Sequence, residues 1–419
     1  MRVLISGAGI AGPTLAWHLA KAGMQVTVVE KRTRSQAQTG QNIDVNGTAL
    51  RVLKEMGLFA ELRRLNTTER GTHFVDRHGT PYAAFPVEGI SMTSEHEILR
   101  GDLAQILMDS TMQHERIEYL FETAVQDVLA NDEQAVEVQL SNGDTRRVEL
   151  LVAADGQWSR TRRAVFPADA VSTNDKGAFF AYWTAPRSAS DDEWWRIFTA
   201  LPNRVAMVRP DPYGTLRVCL SFFPRTDAQR AEWQTASRAG PEAQQELVRR
   251  QFADAGWEVP RLLDTIKDAP DFYMQKCEQI KLRHWSVGRV VALGDAAYAP
   301  TPLTGMGAPL SILGARVLAG ELSKLAPDEH PARALEAYEQ VYRPFVEETQ
   351  ALPSFVPGIV HPQSAWRLWL LQTALSIGAR IVSLSFVKSR VNRDPEVEDF
   401  KLPEYDAFPR VADASPVKA

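Results

Sequence analysis

Cysteine is scarce in this chain: Cys219 and Cys277 stand alone among 419 residues. Two cysteines build neither a disulfide framework nor a cysteine-rich zinc site, and they suit a reducing compartment. The eight histidines are scattered, with no pair at the helical spacing of metal ligands, so no metal site is expected. A basic surplus is missing too. The net charge of −5 argues against a nucleic-acid binder. Long apolar runs are also absent: Leu368 to Ala379 is uncharged, but at twelve residues between Arg367 and Arg380 it is too short to span a bilayer. Arg2 and the apolar stretch after it faintly resemble a secretory signal, yet their glycine spacing fits a folded turn better. These absences together lead us to expect a cytoplasmic protein with no nucleic-acid partner and with a membrane partner disfavoured; a monomer or homodimer is expected, though the sequence carries no signal that chooses between them.

What is present starts at residue 3. Val3–Ser6 and Gln25–Glu30 read as short strands around a helix that carries Ala11, Leu15, His18 and Leu19 on one face. Between the first strand and the helix lies Gly7-Ala8-Gly9-Ile10-Ala11-Gly12, a G-x-G-x-x-G turn in the position a dinucleotide needs. Gly7 permits the turn, Gly9 lets a pyrophosphate approach the backbone, and Gly12 lets helix and strand pack closely. Glu30 ends the second strand and is suited to accept hydrogen bonds from a ribose. An acid rather than an arginine here favours FAD or NAD over NADP.

Two later motifs follow predicted strands. "DGQWSRTRR" has the form D-G-x-x-S-x-x-R, with Asp155, Ser159 and Arg162 at set spacing; by itself it also reads as an ordinary strand-to-helix turn. "GRVVALGDAAYAPTPLTGMGAPL" places Gly294-Asp295 at a strand end, then a loop with Pro302, then Gly305-Met306-Gly307 at a helix start. A carboxylate there suits ribityl or ribose hydroxyls, and the helix start suits negative charge on a reduced flavin ring.

The remaining pattern outlines the architecture. A helix is predicted over about Thr48–Leu65, strand-like pieces over His73–Phe85 and a helix over Leu99–Gln113. From Asn174 to Lys281, short β-branched and aromatic runs separated by Pro, Gly and Asp read as an antiparallel sheet, interrupted by a helix near Gly240–Ala255. Ala308–Lys324 reads as helix. At 419 residues the chain is long for one core. The expected fold is α/β: a Rossmann-like dinucleotide domain (1–72, 98–173, 282–325), an inserted mixed or antiparallel sheet domain (73–97, 174–281) and a C-terminal helical region (326–419). In that last region Trp366, Leu370, Ala374, Ile377, Ile381 and Leu384 form one helical stripe, expected to pack between the domains, with a role at a membrane surface as the minor reading.

The three motifs in this order resemble the single-component, class A FAD-dependent aromatic hydroxylases of the para-hydroxybenzoate hydroxylase type, over about residues 1–325. The resemblance implies tightly bound FAD held by Gly7, Gly9, Ala11, Gly12, Glu30, Lys31, Asp155, Gly294, Asp295, Pro302, Gly305, Met306 and Gly307. Arg100 in "LRGDL" matches the family's arginine near the FAD phosphates. One departure stands at Tyr298, where many relatives carry histidine. No second G-x-G-x-x-G exists, so NADPH or NADH is expected to dock only transiently. The resemblance also implies the chemistry: O2 adds to the reduced flavin as a C4a-hydroperoxide, which hydroxylates an aromatic or polycyclic, phenolic small molecule. The "TGMG" turn and chain length are further similar to tetracycline-inactivating members. Two rival functions share these motifs, a double-bond reductase and a non-turnover flavin-binding sequestrant.

Substrate contacts are less legible. In "AFFAYWT", alternation puts Phe179, Ala181 and Trp183 on one sheet face and Phe180 and Tyr182 on the other, and one of these faces is expected over the flavin cavity. Arg209 is a candidate partner for an acidic or phenolate substrate. Asn42 and Asp44 stand where the family brings a loop toward the flavin ring. Because the cofactor carries the chemistry, no acid–base side chain is singled out.

Overall fold

Val3, Leu4 and Ile5 are all buried, the mark of a strand covered on both faces, and they sit at the centre of a six-stranded sheet. The computed structural model describes residues 1–34, 40–88, 91–353, 355–383 and 399–408. Across the sheet the strands run Ser286–Val287, Val290–Ala292, Leu150–Ala153, Arg2–Ser6, Gln25–Glu30 and Ile117–Phe121. All neighbours are parallel except the two-residue edge strand. The helix Ala11–Lys21 lies against the helix Gly307–Ser323, so the first and third motifs share one layer.

A seven-stranded sheet stands beside this domain, in the order Tyr273–Leu282, Val171–Pro186, Thr215–Phe222, Arg204–Pro210, Trp195–Ala200, Gly71–Val75, Pro81–Pro86. Its pairs are antiparallel except Trp195–Ala200 with Gly71–Val75, which makes it mixed. Three short helices, Asp227–Arg238, Pro241–Phe252 and Val259–Asp264, cover one face; the second is the helix expected near 240–255, and the first and third are not expected from sequence. Pro241 opens a helix and ends the run before it, and this divides the segment. The helix expected over 48–65 is likewise two pieces, Gly47–Glu55 and Phe59–Arg64, separated at Gly57, whose φ of +75° a helix cannot hold.

The expected domain edges at 72/73 and 173/174 both fall inside strands, Gly71–Val75 and the sixteen-residue Val171–Pro186. The long strand leaves the dinucleotide domain and enters the second sheet without a break, so no loop signal marks the crossing. The C-terminal region is also not a separate body. Leu335, Tyr338, Tyr342 and Val346 of the helix Ala332–Thr349 join the core of the first domain, as do Leu402 and Tyr405. A Cβ on Gly320 would meet the Tyr405 ring at 2.2 Å, so only glycine lets that returning segment close down.

The stripe at Trp366, Leu370, Ile377 and Ile381 is the largest correction. It lies on the helix Ala365–Ser383 but faces solvent, not a domain interface. The opposite side of that helix packs on the strand Pro81–Pro86, where Ser376 Oγ donates to the Tyr82 carbonyl at 3.0 Å. Leu384 lies outside the described residues.

Candidate active site and cofactor cradle

The glycine turn is built by exclusion. Gly7 has φ +110°, and a Cβ there would lie 2.5 Å from the Ala154 carbonyl oxygen; one on Gly12 would lie 2.0 Å from the Gly7 oxygen. Neither position accepts a side chain. Gly9 differs: its missing Cβ faces only the Arg100 guanidinium, 3.6 Å away. That opening lies at the start of the Ala11–Lys21 helix, whose first N–H groups are free of intrahelical partners, with a cation beside it. A pyrophosphate fits such a place.

Glu30 straps the turn as well as ending its strand: one carboxylate oxygen accepts the Ala8 N–H at 2.9 Å and the other the Arg32 N–H at 3.0 Å. Each oxygen keeps a lone pair for a ribose hydroxyl. Lys31 is exposed one residue further on.

Asp155 is committed to the backbone. Its carboxylate accepts the Ser159 hydroxyl, the Arg160 N–H at 2.8 Å and the Thr161 N–H at 3.2 Å, while Ser159 Oγ caps the helix Arg160–Val165 by accepting the Arg162 N–H. The second motif therefore works first as a strand-to-helix turn. Its link to the third motif is Arg162, buried, which donates to the Ala296 carbonyl at 2.7 Å and the Gln157 carbonyl at 3.1 Å.

Asp295 is the acid that remains unpartnered. It opens the short helix Asp295–Tyr298 after Gly294, whose φ of +64° turns the chain, and it has no hydrogen bond among the described residues. Surrounding protein pushes its carboxyl pKa upward, and the Arg100 charge opposes that shift. Gly307 stands beside it: a Cβ there would sit 3.9 Å from Asp295 Oδ1. Pro302 starts a single 3-10 turn, Gly305 adopts the left-handed conformation and Met306 caps the Gly307–Ser323 helix, aiming its N-terminus at the same place. An unpartnered recessed carboxylate next to a helix start is what ribityl hydroxyls and a reduced flavin ring require, so the residues present fit FAD. Tyr298 turns away from this cradle. It is buried among Trp285, Tyr338 and Tyr342, with its hydroxyl 2.9 Å from that of Tyr338.

Alternation on Val171–Pro186 divides the aromatic run between two cores. Phe179, Ala181 and Trp183 face the three covering helices with Phe222 and Trp233. Phe180 and Tyr182 fall in a separate small cluster with Cys219 and Cys277, packed by Met207, Tyr273 and Leu303 of the Pro302 turn. Burial holds the Tyr182 and Tyr273 phenols far above their ordinary pKa, and pushes the Cys277 thiol up to about 12. This wall is therefore neutral. Met207, Cys219 and Tyr273 escape sequence reasoning, because only strand register places them beside Tyr182, which pairs directly with Cys219 and with Tyr273; Leu303 is brought there by the packing of the Pro302 turn.

Arg209, expected as a free cation for an acidic substrate, is neutralised from within. It pairs with Glu69 at 2.9 Å and with Glu97, both buried, and its guanidinium lies 4.1 Å from the Trp195 ring centroid. Asn42 belongs to the same joint: its amide donates to Glu97 at 3.3 Å and to the Pro210 carbonyl at 3.2 Å. Asp44 accepts the Ser94 N–H at 2.7 Å. These residues join the small sheet Asn42–Asp44/Glu97–Leu99 to the substrate-side sheet. Among the described residues no cluster of histidine, cysteine and acid could hold a metal ion, and no helix is long and apolar enough to cross a membrane.

A glycine-cradled dinucleotide domain with a mixed sheet set against its third motif defines a flavoprotein. The chain belongs to the FAD binding domain family, whose pattern matches residues 1–351. Over 97% of its length it is 33% identical to the flavin-dependent monooxygenase eupH of Phoma sp, covering 98% of that protein. It is 35% identical to the monooxygenase CTB7 of Cercospora beticola, again over 97% of both chains. Among solved structures it is similar to the tetracycline destructase Tet(55), with 28% identity, a TM-score of 0.75, and coverage of 96% of this chain and 98% of that one. The protein is an FAD-dependent monooxygenase of the aromatic-hydroxylase class, with NAD(P)H as its transient reductant.

Proposed function

We propose that the substrate is a flat, uncharged aromatic or polycyclic phenol lying against the wall of Phe180, Tyr182, Met207 and Tyr273, opposite Leu303. The main support is that the apolar cluster of the second sheet includes Leu303, the residue after Pro302 in the cofactor motif. Neutral phenols at Tyr182 and Tyr273 suit stacking and hydrogen-bond donation to a substrate oxygen, and Arg209 has no spare charge for a carboxylate. The 28% identity with a tetracycline destructase favours the polycyclic end of this class.

FAD, when bound, accepts hydride from NAD(P)H and activates O2. The chain's own work is placement. Gly7 and Gly12 would shape the turn and Gly9 would admit the pyrophosphate, Arg100 would balance its charge, and the Asp295 carboxylate would accept hydrogen bonds from ribityl hydroxyls. The Gly307 helix start would stabilise negative charge on the flavin ring, and the Tyr182 wall would orient the substrate ring to be hydroxylated while keeping water out. The test is a panel of phenols, polycyclic phenols and tetracyclines with FAD-loaded enzyme. A true substrate should stimulate NAD(P)H oxidation and O2 uptake and give a product heavier by one oxygen. Tyr182→Ala should raise its KM. Stimulated oxidation without oxygen in any product would sink the hydroxylase reading, and an unchanged KM would move the substrate off this wall.

A further inference from the structure

We propose that the helix Ala365–Ser383 docks the protein on an anionic lipid surface. On its outer side Trp366, Trp369, Leu370, Ile377 and Ile381 are between 50% and 65% exposed. Phe355 and Ile359, on the short helical segment just upstream, are also exposed, at 64% and 52%. Soluble proteins rarely leave this much large apolar surface in one place without a partner. The inner side of the helix is already used, held on the edge strand Pro81–Pro86 by packing and by the Ser376 hydrogen bond. The outer side is thus fixed in orientation.

Charge identifies the occupant. The chain carries a net charge of −5, yet residues 350–393 hold no Asp or Glu at all and five basic residues, Arg367, Arg380, Lys388, Arg390 and Arg393. Arg367 and Arg380 lie on the helix itself, exposed beside the apolar stripe. A second copy placed on this face would bring two acid-free basic segments together and pay for their repulsion. An anionic headgroup layer attracts the cations and receives the apolar side chains just beneath it, with the two tryptophans at the depth where indole is favoured. The helix lies flat in this arrangement and does not span. Docking there would hold the substrate-side sheet close to the bilayer, with the helix between them.

The experiment is co-flotation of FAD-loaded full-length protein with phosphatidylcholine vesicles, with and without phosphatidylglycerol. We expect binding to the anionic vesicles only, weakened by high salt. Trp366→Ser with Trp369→Ser should reduce the affinity by about tenfold or more. Arg367→Gln with Arg380→Gln should reduce it by about thirtyfold, about fivefold per cation. Both variants should keep wild-type FAD content and thermal stability, since the changed side chains are exposed. Three results would overturn the proposal: no flotation of the wild type, equal binding to neutral vesicles, or a dimer in sedimentation that the tryptophan variant dissociates.

Discussion

Arg162 Nη1 lies 2.7 Å from the carbonyl oxygen of Ala296, so the residue that closes the second motif holds the residue that follows the acid of the third. The cofactor acid Asp295 is thereby positioned by a side chain more than a hundred positions away in sequence. Arg162→Met removes both charge-assisted bonds and leaves the Ala296 and Gln157 carbonyls without their donor. FAD affinity should fall by about ten- to a hundredfold, equivalent to about 1.5–3 kcal/mol, by flavin fluorescence titration of the apoprotein. Arg162→Lys should recover only part of it, having no second nitrogen to reach Gln157.

If Asp295 holds the ribityl chain as proposed, the FAD affinity should depend on pH. Burial raises its carboxyl pKa in the free protein, and ribityl hydroxyls need the carboxylate as acceptor. Binding therefore releases a proton, and FAD should bind more tightly as pH rises through that raised pKa. Asp295→Asn should remove this slope and weaken binding at neutral pH. A wild-type affinity that is flat with pH would contradict the role.

A buried histidine should contribute to the loss of stability in acid. His361 is held neutral: Nε2 meets Ser221 Oγ at 2.7 Å and Nδ1 meets the Pro357 carbonyl at 2.7 Å, while burial lowers its pKa from 6.5 to about 4. A depressed pKa means the stabilisation is complete above 6.5 and is lost as pH falls towards 4, by about 3 kcal/mol in total. Chemical denaturation across that window should show a smaller loss in His361→Gln than in the wild type.

The joint at Arg209 should fail asymmetrically. Arg209→Met strands Glu69 and Glu97 in the interior, and burial already pushes the Glu69 carboxyl upward even with the arginine present. We expect a loss of about 3–5 kcal/mol in urea unfolding. Adding Glu69→Gln and Glu97→Gln to that variant should restore much of it. A single variant as stable as the wild type would mean that the cluster is not a structural joint.

The sequence by itself determined the cofactor cradle. Its devices are mostly local: a Cβ excluded at Gly12 by the Gly7 carbonyl, an acid at each strand end, a helix start after each turn; only at Gly7 does the excluding group, the Ala154 carbonyl, come from a distant strand. Such features are fixed within a few residues of one another, so spacing alone reports them. Backbone alternation likewise separated Phe179, Ala181 and Trp183 from Phe180 and Tyr182. Which set meets the Pro302 turn was decided only by the tertiary structure, because both faces of that strand are covered by apolar groups and hydropathy does not distinguish them. The same holds for Arg209. One cation looks free in a sequence, and the Glu69 and Glu97 that neutralise it are brought to it across separate strands and loops. The Trp366–Ile381 stripe makes the point in reverse: its helical periodicity was legible, but whether an apolar stripe meets protein or solvent depends on what the rest of the fold leaves opposite it.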